Sequence, residues 1–108
     1  MSDVVLVLTT VPDDGSGEMI ARALVDERLA ACVNLLAPMT SMYRWQGVVE
    51  RDTERQLLMK TTQALVPALE RRLKELHSYE LPEFLVLDVA GGSEAYLAWV
   101  SAIQRSAD

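Results

Sequence analysis

The sequence predicts an α+β domain, with helices packed against an antiparallel sheet, and three observations carry that prediction. Apolar runs of strand length alternate with amphipathic helical stripes in the order β-α-β-β-α-β, followed by a last helix. The stretch from Ala31 to Thr61 reads as two long strands hinged at Gln46-Gly47, because β-branched, leucine and aromatic residues run on both sides of a glycine-containing break. Across 108 residues there is no internal repeat, low-complexity tract or linker, so residues 1–108 are read as one domain.

The first strand is predicted over Asp3 to Thr10, where Val4, Val5, Leu6, Val7 and Leu8 are apolar without alternation. A strand of that kind is buried on both faces. The loop Val11-Pro12-Asp13-Asp14-Gly15-Ser16-Gly17 has turn chemistry throughout and leads into a helix from about Glu18 to Arg28. Ile20 with Leu24, and Ala21 with Val25, form its buried stripe. Gly15 and Gly17 serve helix entry, since the third glycine of a dinucleotide fingerprint and the lysine of a P-loop are both missing.

The hairpin strands are predicted at Ala31 to Trp45 and Val48 to Thr61. At about 3.3 Å per residue each spans about 45 Å, whereas a domain of this size has a radius of gyration of about 13 Å. The tip must overhang its own domain. Pro38, with no amide donor, belongs at an edge or bulge and bends the strand. Tyr43 and Trp45 on a projecting ribbon need cover from another chain, so self-assembly through them is expected.

A second helix begins between Ala64 and Pro67 and ends near His77, with Leu65, Leu69, Leu73 and Leu76 on one face. A polar connection, His77 to Glu83, leads to a strand from Phe84 to Val89, broken by Gly91-Gly92. Ser93 then caps a helix in which Tyr96, Val100 and Ile103 share a face with Trp99 beside them. The order defines a ferredoxin-like β-α-β-β-α-β sandwich with a C-terminal helix and a long β-hairpin, its helices on one face of the sheet. The other face needs a partner.

Composition narrows the function. A formal charge of −6 argues against affinity for a nucleic-acid backbone and is compatible with cation binding. One cysteine rules out an intrachain disulfide and suits a reducing compartment. The apolar start is too short to span a bilayer and lacks a basic flank, so a cytoplasmic protein without a membrane partner is expected.

One histidine and one cysteine cannot build a closed Cys₄ or Cys₂His₂ zinc site within one chain; any site must use carboxylates or be shared between subunits. Cys32 is read as a small core residue or as a ligand. His77 is read as a helix-ending residue or as a ligand beside Tyr79, Glu80 and Glu83, a donor set suited to Cu(II) or Zn(II). Ser41 and Ser78 lack the context of a hydrolytic nucleophile, and no carboxylate pair stands out, so an enzyme is not expected.

The segments Thr9-Thr10-Val11-Pro12, Glu27-Arg28-Leu29-Ala30-Ala31-Cys32-Val33-Asn34, Tyr43-x-Trp45-x-Gly47, Lys60-Thr61 and His77 to Glu83 resemble the divalent-cation tolerance (CutA) proteins from about Val4 to Ile103. Ser78 departs from the proline usual there. The resemblance implies a ferredoxin-like homotrimer, with hairpins reaching to neighbouring subunits, in a cytoplasmic protein of copper and divalent-metal tolerance. On that basis the expected metal residues are Cys32, His77, Glu80 and Glu83. Glu54, Lys60 and Tyr79 are the expected cleft residues, and Tyr43 and Trp45 the trimer contacts. Two alternatives stand beside it: a trimeric signalling module that takes a small anionic ligand in an intersubunit cleft, and an assembly scaffold.

Overall fold

A computed structural model describes residues 3–103. Five strands and three helices follow in order: β1 (Val4–Pro12), α1 (Ser16–Asp26), β2 (Cys32–Leu35), β3 (Met39–Trp45), β4 (Val48–Thr62), α2 (Val66–Leu76), β5 (Leu85–Asp88) and α3 (Glu94–Ser101). All pairings are antiparallel, and the sheet order is β2-β4-β1-β5, with β3 on the far half of β4. This is the α+β architecture expected from the sequence.

β4 is the spine. Its inner half, from Glu54 to Thr62, pairs with β1, and Leu57 to Lys60 also pair with β2. From Val48 to Thr53 its pairing is with β3, so the two strands project as a two-stranded ribbon. The molecule measures 44 × 27 × 24 Å, and its radius of gyration of 14.6 Å exceeds that of a compact chain of this length. Gln46 and Gly47 turn the ribbon with positive φ angles of 51° and 83°, the conformation a two-residue hairpin turn demands.

The strand expected over Ala31 to Trp45 is in fact two. Leu35 stands opposite Leu57 and Met39 opposite Glu54, so residues 36–38 face 55 and 56, with one residue too many. The result is a β-bulge at the proline, which has no amide for the ladder. The extra residue changes which side chains share a face. Before the bulge Cys32 and Asn34 lie on the face of Lys60 and Leu58; after it Met39, Ser41, Tyr43 and Trp45 lie on the face of Glu54.

On the helix side, Val5, Val7, Val11, Leu57 and Met59 of the sheet pack with Ile20 and Leu24 of α1 and Leu69 and Leu73 of α2. Val25, expected in the stripe, is 42% exposed. Gly17 occupies the close contact instead: a Cβ there would sit 2.9 Å from both Leu35 Cδ1 and Val11 Cγ2. Helix α3 departs from the expected single helical layer. The Lys60 ammonium, on the opposite face from Met59, lies 5.5 Å from the centre of the Tyr96 ring, and the Ser101 hydroxyl donates to Asp3 at 2.8 Å. α3 therefore covers one end of the other sheet face. Val100 and Ile103 are buried there, while Tyr96 and Trp99 remain exposed.

The rest of that face is open. Leu6, Leu8 and Leu58 are half-buried, and Leu85 and Leu87 of the edge strand β5 are exposed. The double-sided burial expected of β1 is thus met on one face and left half-made on the other. Among the described residues no helix is long and apolar enough to cross a membrane.

Candidate functional site

The 77–84 connection folds back over the end of the sheet where the ribbon begins. His77 ends α2, its amide donating to Leu73 O at 2.8 Å. Its ring Nε2 lies 2.7 Å from Thr10 O, and the Tyr79 amide donates to its Nδ1 at 3.1 Å. A carbonyl can only accept and an amide N–H can only donate, so the imidazole is neutral with its proton on Nε2. The Tyr79 hydroxyl donates to Glu54 Oε2 at 2.6 Å. Gln56 Nε2 donates to Glu83 Oε2 at 3.0 Å and to Thr9 O at 2.7 Å. Three points thus tie the connection to β1 and β4.

Between this connection and the ribbon lies a cleft of about 740 Å³. Its floor is Thr10, Glu54 and Gln56; one wall is Met39, Ser41, Met42, Tyr43 and Trp45, and the other Tyr79, Glu80, Leu81, Pro82 and Glu83. The bulge brings the aromatic wall to the carboxylate floor, since without the extra residue Tyr43 and Trp45 would face away from Glu54. Among the described residues no lysine or arginine lines the cleft. The Arg44 and Arg55 guanidiniums donate to the carbonyls of Gly47 and Leu36. None of Glu54, Glu80 and Glu83 joins an ion pair among the described residues.

Both phenols register the surrounding negative charge. A hydrogen bond from Tyr43 to Asp52 is the main cause that pushes its hydroxyl up to about 12. Burial, and then the bond to Glu54, hold the Tyr79 hydroxyl well above the ordinary tyrosine value.

The site residues expected from the sequence divide in two. Glu54, Tyr79, Glu80 and Glu83 line the cleft, and Tyr43 and Trp45, expected as trimer contacts, line it too. Cys32 and Lys60 are elsewhere: they pair with each other six residues along β4 from Glu54, about 20 Å away. His77 is beneath the cleft, with both ring nitrogens engaged by backbone. The proposed metal set of Cys32, His77, Glu80 and Glu83 therefore does not converge within one chain. Among the described residues no cluster of three or more histidine, cysteine or carboxylate side chains is poised to hold a metal. Sequence reasoning missed Gln56, Met39 and Ser41 as site residues. Their signal was the alternation of Glu54 and Gln56 on β4 and the one-residue slip at Pro38.

The fold defines a small α+β protein with a projecting ribbon and an acidic, aromatic cleft at its base. The family model described as CutA1 divalent ion tolerance protein matches residues 5–103. The chain belongs to that family. It is 50% identical over 100 residues to the divalent-cation tolerance protein CutA of Thermus thermophilus, covering 93% of this chain and 95% of that protein. It is 43% identical over 105 residues to the protein of the same name from Pectobacterium atrosepticum, with 97% and 96% covered. The crystal structure of CutA from Xylella fastidiosa superimposes with a TM-score of 0.88 at 49% identity, covering 92% of this chain and 95% of that one.

Proposed function

We propose that this chain forms a cytoplasmic homotrimer that binds copper(II) or a similar divalent cation weakly, and acts in tolerance of such ions without catalysing a reaction. The observation that carries the reading is the gathering of Glu54, Glu80 and Glu83 along one cleft that, among the described residues, no basic side chain lines. Carboxylate oxygens suit divalent cations, and the family's name connects it with tolerance of them. Because no three donors converge among the described residues, binding is weak or is completed by water or a neighbouring subunit. Cys32 and His77 contribute only across subunits or after rearrangement, His77 by exchanging a backbone partner for the ion.

Assembly is supported by the surfaces one chain leaves uncovered. Met42, Tyr43, Val48 and Val49 are exposed on the ribbon, and Leu85 and Leu87 on the open sheet face. A two-stranded ribbon is marginal in water unless something packs on it. The half-buried free thiol of Cys32 suits a reducing cytoplasm. The cleft's carboxylates count against a small anionic ligand at this position.

The test is calorimetric titration of metal-stripped protein with Cu(II) and Zn(II). Glu54→Gln and Glu83→Gln should each lower Cu(II) affinity by at least about tenfold with the oligomer mass unchanged. Unaltered affinity in both variants would remove the cleft from the metal reading.

A further inference from the structure

We infer that the cleft between the ribbon and the 77–84 connection is a binding site for a small organic ammonium ion. Its charged head would pair with Glu54, with Glu80 and Glu83 adding negative charge along the same cleft, and its carbon body would lie along the wall that begins at Met39, opposite Glu54, and continues to Tyr43 and Trp45. The inference goes beyond metal tolerance: it concerns the apolar walls of the cleft, for which a bare metal ion has no use.

Size is the first support. A volume of about 740 Å³ falls within the range of small-molecule sites, roughly 300–1,000 Å³. Charge is the second. Glu54 is 5% exposed, and among the described residues its carboxylate is met by the neutral hydroxyl of Tyr79 rather than by a cation. A buried carboxylate without a positive partner is unfavourable, and a cationic ligand would supply that partner. The Tyr79 hydroxyl and the Gln56 amide also hold Glu54 and Glu83 in place before a ligand arrives.

The walls identify what kind of cation fits. A methionine thioether stands opposite Glu54, and two aromatic rings, Tyr43 and Trp45, continue the same face of the ribbon along the cleft, the face set by the bulge. Aromatic faces attract an ammonium group and bury its methylene groups in the same contact. A strongly hydrated metal ion gains nothing from those walls, a neutral molecule leaves the carboxylates uncompensated, and an anion meets three like charges. An ammonium ion with an apolar body satisfies both halves of the cleft.

Three probes of one shape separate these cases: benzylammonium, benzyl alcohol and benzoate, each titrated calorimetrically into the metal-stripped 108-residue protein at neutral pH. Benzylammonium should bind at least about tenfold more tightly than benzyl alcohol, and benzoate should show no saturable binding. Glu80→Gln should lower benzylammonium affinity severalfold and leave benzyl alcohol unchanged. Because Glu80 is exposed in a connection, that variant remains informative should Glu54→Gln fail to fold. Lack of benzylammonium binding, or equal binding of all three probes, would overturn the inference. A Cu(II) titration of the same preparation separates the two readings. Metal uptake without ammonium binding sinks this one alone, and ammonium binding without metal uptake sinks the metal reading alone.

Discussion

Both ring nitrogens of His77 hold backbone, one at Thr10 and one at Tyr79, so the residue joins the end of α2, the end of β1 and the wall of the cleft. His77→Ala should therefore destabilise the fold by about 1–3 kcal/mol, because it removes a buried side chain and leaves the Thr10 carbonyl and the Tyr79 amide short of partners. Urea denaturation of the two proteins measures it; a change below about 0.5 kcal/mol would reject the structural role. The phenols give a pH prediction. The hydroxyls of Tyr43 and Tyr79 are raised above the ordinary value near 10, so the folded state holds their protons more tightly than the unfolded state does. Their contribution to stability is complete below about pH 10 and is lost as the pH rises through the folded values, about 12 for Tyr43. Tyrosinate absorbance should show this, with Tyr43→Phe and Tyr79→Phe each removing amplitude from the alkaline end of the titration. Loss of amplitude near pH 10 instead would contradict the hydrogen bonds to Asp52 and Glu54.

At the scale of elements, hydrophobic periodicity and turn residues were enough to place the helices and strands in order, except for the break that divides the first hairpin strand into β2 and β3. Leu65, Leu69 and Leu73 repeat as a helix face must, and Gln46-Gly47 marks the hairpin turn. What periodicity could not show is which sheet face a helix covers. The apolar stripe of α3 says only that one side of it is buried, so its place opposite α1 and α2 became visible only with Lys60 beneath Tyr96. The cleft was half legible for a similar reason. Pro38 signals a bulge, but the side chains a bulge re-aims depend on register, and register is set by pairings between distant residues. Cys32 and Lys60 looked like site residues by type, yet the length of β4 holds them at its far end. Gly17 shows the reverse case, a residue read as helix entry that proves to be a packing contact. Gly17→Ala should destabilise by about 1–3 kcal/mol despite the better helix propensity of alanine, since the new methyl meets Leu35 and Val11. A rise in melting temperature would contradict that close approach.

Over the whole molecule, the same ribbon forms a wall of the cleft and an uncovered apolar surface. Trp45 is 36% exposed in one chain, and Val48 and Val49 beside the turn are more so. Trp45→Asp should weaken assembly, because a charge in an apolar contact must be desolvated. Sedimentation velocity on wild type and variant would show it as a shift toward a smaller species, and an unchanged oligomer would relieve Trp45 of that role. The sequence foresaw this surface because strand length alone forces an overhang. Neither composition nor periodicity encodes how many chains would be needed to cover it.

Subunit number and bound cations are best read together, by native mass spectrometry of metal-stripped protein during a Cu(II) titration with Zn(II) as comparison. The account predicts a species of three chains that takes up a small, reproducible number of ions, reduced in Glu54→Gln. A monomer, or a trimer that carries only diffuse adducts growing with metal concentration and indifferent to Glu54, would contradict it.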